Sequence, residues 1–480
     1  MRHATIILLA FLAAAAVSVP TRAEDAAARP PDTLPPELRQ LRPMELSEVV
    51  RKALEYSPTL KAQGAIVEQV STNTKRAWAM LLPSLDVTGT YTLTDQEIKL
   101  DFMGQTFGDL FRLAMVNCGT WDTASMGPAP ALCTTDPSQM ASAPIVIQKR
   151  HNFAASAQVA ISLINLRTWP NLANVDTAIE LTELQKQFTE EQLVFAVVQL
   201  YYGIATAQEA IKLMNDNVAT AMRHMDLAEV RRKNGVALEN ERIRAAMGVV
   251  QARAALDQAV VAWKLARESL ALLIGLPDAQ FRAADTFATP WDEVPAAEDD
   301  VDGRRDIQML GKARLMGERN VDDAWARFAP VVMGIWRWDI SNNKGFAGNY
   351  DQWRAMVTLS WSIFDGGYRF ADLDERRARL RELGYNLEQA RIQARTEIAR
   401  AQAEIEAAGL AIQSGEEMAR LAEDNLRIVQ QQYGLGAAPQ TAVLDAEMAH
   451  TQARTGLITS RLRLAMAHVS MVKAAGKLAL

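Results

Sequence analysis

Cysteine is almost missing from this chain: 480 residues hold two, Cys118 and Cys133. That excludes a cysteine-rich metal protein and a disulfide-dense scaffold. Histidine is scarce too, at five, and no two stand at metal-ligand spacing. Basic charge is not in excess, since 51 Lys+Arg against 57 Asp+Glu leave −6; a nucleic-acid partner held by bulk electrostatics is not expected. No run of about 18 uninterrupted apolar residues follows residue 23, so no transmembrane helix is expected beyond it. Nucleophile elbow, phosphate loop and zinc motif are all lacking. His224 and His450, within helical stretches, read as packing or surface residues. No catalytic, cofactor-binding or metal-binding residue is assigned, and no enzyme is expected. What is present, 49% apolar and 22% charged residues, is the composition of a folded protein.

The start sets the compartment. Arg2 and His3 precede an apolar run from Ala4 to Val17, and Pro20-Thr21-Arg22-Ala23 ends in small residues. Residues 1–23 read as a secretory signal peptide, whose loss takes the net charge to −8. No Cys follows the cut to carry a lipid.

The remainder repeats itself, which bears on the fold before anything else does. Ala77-Trp78-Ala79 through Pro83 matches Ala324-Trp325-Ala326 through Pro330 at an offset of 247. Phe153 through Asn165 matches Trp353 through Asp365 at 200, and Asn234-Gly235-Val236-Ala237 matches Leu435-Gly436-Ala437-Ala438 at 201. The order is kept, so a tandem duplication is expected, with an insertion around residues 98–150. The repeats span 44–275 and 304–475. A Pro-rich linker, 24–43, precedes the first, and an acidic linker, 276–303, joins the two.

Each repeat reads helix, strand, strand, long helix, helix. Pro83 and Pro330 end the opening helices. Leu85, Val87, Gly89, Tyr91 and Leu93 then alternate with Asp86 and four threonines, the period of a strand with one polar and one apolar face. Strands are expected at about 84–95, 152–165, 331–341 and 352–365. They suit either a small periplasmic sheet or membrane-spanning staves, which need about 9–11 residues per crossing. In the second case Tyr91, Trp336, Trp338, Trp353 and Trp361 are candidate interface aromatics.

The period then changes to that of helices. Leu181, Phe188, Phe195 and Tyr202 fall seven apart, as do Leu380, Leu387, Ala394, Ala401 and Ala408. Such spacing implies supercoiling against neighbours. Long helices at 167–233 and 368–433 would each span about 100 Å. Helices Glu45–Met80 and Glu239–Ile274, placed end to end, match the first in length; Arg304–Ala329 and Gln440–Lys473 match the second. Four strands per chain cannot close a barrel, and lipid does not tolerate an open sheet edge. Closure needs several chains in cyclic symmetry.

On three stretches taken together the chain resembles the TolC-type outer-membrane efflux protein family, over about residues 44–475. They are Leu46-Ser47-Glu48-Val49-Val50 with Ala53 through Leu60, then Ser360-Trp361-Ser362-Ile363-Phe364-Asp365-Gly366-Gly367, then Tyr433-Gly434-Leu435-Gly436 with Val443-Leu444-Asp445-Ala446. The resemblance implies an α+β membrane protein: a homotrimer with a 12-stranded β-barrel in the outer membrane and a coiled α-helical tunnel in the periplasm. It implies a passive exit channel of a tripartite efflux or type I secretion system, joined through a periplasmic adaptor to an inner-membrane pump, proton-driven or ABC type. Lipid is then a partner and nucleic acid is not. A periplasmic helical scaffold or adaptor without a pore is the alternative; it leaves the matched strands unexplained.

The resemblance also implies an aperture at the far end of the long helices. Tyr433 and Asp445 match the family's aromatic and acidic positions there, and Glu241 falls where another acid is common. Ala438 and Ala442 depart from the pattern, replacing a basic residue and a second acid of relatives. Three copies of Asp445 around an axis would repel one another and attract cations; the other reading is a solvated helix face. Gly235 and Gly436 are expected to turn antiparallel helices by accepting positive φ. Cys118 and Cys133 lie in the Gly- and Pro-rich insertion, where export favours a disulfide. Phe102–Phe111 is placed over the barrel mouth.

Overall fold

A computed structural model describes residues 41–100, 145–277, 280–284, 301–343 and 349–478. The signal segment, the Cys118–Cys133 pair and Phe102–Phe111 lie outside the described residues. Helices are α1 Leu46–Tyr56, α2 Pro58–Ala79, α3 Thr168–Lys233, α4 Glu239–Leu273, α5 Arg305–Ala326, α6 Tyr368–Gly434 and α7 Gln440–Ala474. Strands are β1 Arg42–Met44, β2 Ser84–Leu93, β3 Ile98–Leu100, β4 Ile145–Gln148, β5 His151–Ile164, β6 Phe281–Ala283, β7 Val331–Ser341 and β8 Asp351–Ser360. The chain forms two compact units. One comprises residues 1–58, 190–299 and 395–480; the other comprises 59–189 and 300–394.

The second of these holds the antiparallel sheet β2-β5-β7-β8. Its register sorts the side chains, because directly opposed residues share a face. Leu85 faces Val159, which faces Trp336, which faces Ala355; Val87, Ala157, Trp338 and Trp353 form the next such row. Asp86, Gln158, Arg337 and Arg354 make a row on the opposite face, joined there by Thr88 and Ser156, whose hydroxyls lie 2.7 Å apart. Arg337 and Arg354 would repel across the strands. Asp339 relieves this, lying 2.7 Å from Arg337 and 3.4 Å from Arg354. The sheet thus has one apolar and one polar face, and among the described residues β2 and β8 are its edges. A two-stranded ladder, β3 with β4, lies beside the insertion.

Where the helices of this unit follow the strands, an ion cluster gathers around a buried carboxylate. Asp323 of α5, its side chain 5% exposed, takes Arg167 at 2.9 Å, Arg376 at 3.3 Å and Arg327 at 3.6 Å. Asp372 takes Arg327 at 3.0 Å and Arg376 at 3.2 Å.

In the other unit, buried side chains of α1, α3, α4 and α7 form the core, with Val49, Val50, Tyr201, Tyr202, Trp263 and Val469 among them. Parallel pairing of β1 with β6 caps it. The Tyr201 hydroxyl donates to the Met44 carbonyl at 2.9 Å and accepts from the Ala284 amide at 3.1 Å.

Four boundaries differ from the sequence reading. The helix expected over 45–80 is two, because Ser57, held out of the helical region by Pro58, breaks it. The fourth strand stops at Ser360 rather than 365. Asp365 instead accepts hydrogen bonds from the amides of Gly367 and Arg369 at 3.2 Å each, opening α6. The helix expected to reach Ala329 ends at Ala326 in turns ahead of Pro330. Both linkers contribute to a strand pair, Arg42 and Pro43 of the first leading into Met44 and pairing with Phe281–Ala283 of the second; Met44, Phe281 and Ala283 are buried at 3%, 1% and 5% exposure.

Candidate functional site

At the ends of the long helices two turns repeat each other bond for bond. The Val236 amide reaches the Arg231 carbonyl at 2.9 Å and Gly235 that of Arg232 at 3.0 Å; Ala437 reaches Gln432 at 2.8 Å and Gly436 that of Tyr433 at 3.0 Å. Gly235 and Gly436 sit at φ 73° and 78°, the left-handed residues of paired Schellman caps.

These turns bring Tyr433 and Glu241 together. The Tyr433 side chain is buried, and its hydroxyl donates to Glu241 Oε2 at 3.3 Å. Gln440 fastens the same spot, its Nε2 donating to the Glu241 carbonyl at 2.7 Å. Burial and the Glu241 charge both push the Tyr433 phenol up, so it stays a donor. Arg231, from the last turn of α3, lays its guanidinium 4.4 Å from the Tyr433 ring centre and donates from Nη1 to the Tyr433 carbonyl. Asp445 is not part of this group. It is exposed on α7 and lines a cavity of about 600 Å³ with Met214, Thr220, Gln251 and Met448.

Sequence reasoning missed Arg231 and Gln440, while His224, read as a packing or surface residue, is buried. The only signal for Arg231 was the Arg231-Arg232-Lys233 run at a helix C-terminus, where cations are ordinarily favoured by the dipole. Around that turn Glu229, Arg232, Glu239 and Arg242 form an exposed ion network, with Arg232–Glu229 at 2.9 Å and Arg242–Glu239 at 2.6 Å.

In the sheet unit, Tyr91, Trp336, Trp338 and Trp353 all lie on the apolar face. Trp338 is opposite Trp353, Trp336 is one same-face step toward the helices, and Tyr91, opposite Phe153, is two steps the other way. Trp361 is past the end of β8; its indole N–H donates to the Phe328 carbonyl at 3.0 Å. Further exposed aromatics stand at the helix ends next to the strands: Trp78, Trp169, Trp325 and Tyr368.

Known structures share this architecture. CusC matches with a TM-score of 0.73 and 17% identity over 91% of this chain and 93% of its own. VceC of Vibrio cholerae gives 0.70 and 17%, over 90% and 96%. The Campylobacter jejuni CmeC outer membrane channel gives 0.71 and 15%, over 90% and 85%. The fold is therefore that of outer-membrane channel proteins, α+β with an internal duplication. Residues 304–477 match the outer membrane efflux protein family, so the second repeat carries that domain. Protein CyaE of Bordetella pertussis is 28% identical over 228 residues, 44% of this chain. The match spans about half the length of that curated relative, 47%.

Proposed function

We propose that the chain is the outer-membrane exit channel of an efflux or secretion system, a passive conduit that reaches from the membrane into the periplasm. The observation that carries this reading is the sheet. Its strands are mostly 10 to 14 residues long, one face is apolar and aromatic, the other carries Asp86, Gln158, Arg337, Asp339 and Arg354, and two edges lack partners among the described residues. A soluble sheet buries its apolar face under helices; this one leaves Leu85, Val87, Trp353, Val357 and Leu359 between 63% and 72% exposed. Lipid outside and water inside account for both faces, and closing the edges requires sister chains. Trp78, Trp169, Trp325 and Tyr368 suit the headgroup level at the helix side.

Self-association has support in the other unit. Ile243, Met247, Val250, Val261, Leu265 and Leu272 make an exposed stripe along α4, and Leu410, Met418, Leu421 and Ile428 make another on α6. One copy's first stripe against the next copy's second is a head-to-tail contact that closes into a ring. Three copies supply 12 strands, enough for a barrel; eight is about the smallest. Tyr433, Glu241 and Arg231 then hold the tip of the helical tunnel, with Asp445 as an acidic lining around the axis. An adaptor and an inner-membrane pump complete the assembly at that end.

Light scattering of the detergent-solubilised protein, paired with single-channel recording in planar bilayers, tests the reading. A trimer with discrete conductance is expected. A monomer soluble without detergent returns the periplasmic scaffold instead.

A further inference from the structure

Tyr433 touches a second group that the tip contact with Glu241 does not use. The His224 ring, from α3, meets the Tyr433 ring edge-to-face at 5.3 Å between centres. His224 is 6% exposed, and its Nδ1 stands 3.7 Å from Oε1 of Glu447 on α7. That is too long for a hydrogen bond. His224 Nε2 and Glu447 Oε1 have no hydrogen-bond partner among the described residues. An orphaned polar atom on each of two packed side chains is costly, and packing Leu or Met there would remove the cost. We propose that His224 and Glu447 are a proton-sensitive wedge: the packing of Tyr433 on His224 of α3, and of His224 on Glu447 of α7, holds while Glu447 carries its proton and loosens when the proton leaves. This rests on reading the tip as the closing end of a channel.

The chemistry around the pair sets the sign. Arg223, from α3, faces Glu447 and favours its charged form, but burial outweighs it and pushes the carboxyl up to about 7. Tyr433, from α6, is neutral and held up by burial and by Glu241 of α4; Arg231 covers its ring. On α7 itself His450 is held down by burial and by Arg454. Burial also lowers His224, so the ring is neutral where Glu447 titrates. Because the packed tip raises the Glu447 pKa above its ordinary value, the proton favours the packed tip at low pH. That advantage is lost as pH rises through about 7. Among the described residues Arg223 acts on the carboxylate only through its charge and forms no ion pair with it, so water entry is the remaining way to solvate it. Because the packed tip lowers the His224 pKa, its contribution is present at higher pH and is lost only on acidification.

Amide hydrogen exchange of the full-length trimer in detergent tests this, comparing the native chain with Glu447→Gln at the same pH so that intrinsic exchange rates cancel. For peptides within 430–447 the native-to-variant rate ratio should rise from pH 6 to pH 8, by up to about tenfold for each unit above the Glu447 midpoint. A ratio that is the same at both values overturns the wedge. Should Glu447→Gln not fold, exchange in 430–447 relative to the core segment 194–205 of the native chain carries the same test. A pH-dependent ratio in a protein that never conducts would overturn the channel reading and leave the wedge standing; conductance with a flat ratio would do the reverse.

Discussion

Arg231 lies over the ring of Tyr433 while donating a hydrogen bond to that residue's own carbonyl. One guanidinium thereby holds the C-terminal turn of α6 from two directions. At the equivalent turn position this chain has Ala438, which carries no charge. Here the cation comes from the first repeat. Cation–π attraction at a partly desolvated site contributes about 1–2 kcal/mol, so Arg231→Gln should raise the open fraction of the tip by about five- to thirtyfold. Lys keeps the charge but not the planar stack or the fork of donors, and Arg231→Lys should fall between. Single-channel open probability measures both. Equal values for all three proteins would show that Arg231 does not hold the tip.

Tyr433→Phe removes only a hydroxyl. The ring keeps its contacts with Arg231 and His224, while Glu241 loses its donor. At 3.3 Å the bond to a carboxylate is a weak one of its kind, and about 1 kcal/mol is expected from it. Open probability should rise by roughly fivefold. Glu241→Gln leaves the phenol an acceptor and should have a smaller effect than Tyr433→Phe.

Alternation made the strands legible, because the side-chain period of two shows wherever one face must differ from the other; Leu85 through Leu93 carry that signal unaided. The turns were legible for a similar reason. A left-handed residue after a long helix selects glycine, and Gly235 and Gly436 announce it twice. The Ser57-Pro58 break follows from the proline rule, yet the helix was expected to run through it over Glu45–Met80. What escaped is what depends on distant segments meeting. Nothing local marks the pairing of Arg42–Met44 with Phe281–Ala283, nor the approach of His224 to Glu447 from helices more than 200 residues apart in sequence. Trp361 continues the strand's parity and looks like a stave residue; only the amide bonds to Asp365 show that the strand has already ended.

Gly436→Ala forces a Cβ into a left-handed residue at φ 78° and should cost about 1–2 kcal/mol. Gly436→Asn should cost less, since Asn tolerates that conformation. The thermal midpoint by circular dichroism in detergent orders the three proteins as native, Asn, Ala. Ala equal to native would mean that the turn relaxes to another conformation.

Asp323 has three guanidiniums within 4 Å and almost no water. Asp323→Asn leaves Arg327 and Arg376 to share Asp372 while Arg167 loses its bond to Asp323; because Asp323 is buried but its partners are 23–41% exposed, about 1.5–3 kcal/mol is expected. Glu416→Gln is the control. Its ion pair with Arg461, at 3.2 Å, is about half exposed on both sides, which limits the loss to about 1 kcal/mol or less. Denaturant unfolding in detergent should separate the two variants clearly, and comparable losses would contradict the burial of Asp323.

Val357 and Thr358 are neighbours on β8 with opposite surroundings if the sheet is a barrel wall. Val357 is opposite Gly334 in the apolar face; Thr358 is opposite Met333 in the face that carries Arg337 and Arg354. Both are exposed in the single chain, so water alone would treat an arginine at either position alike. Lipid would not. Val357→Arg places a cation against hydrocarbon, at about 2–4 kcal/mol near the bilayer midplane, whereas Thr358→Arg faces an aqueous lumen and should alter conductance or ion selectivity instead. Folding into vesicles read by heat-modifiable gel mobility, followed by bilayer recording, distinguishes the two effects. The assignment of faces fails if both variants fold equally well and conduct like the native chain, and it reverses if Thr358→Arg is the variant that no longer inserts.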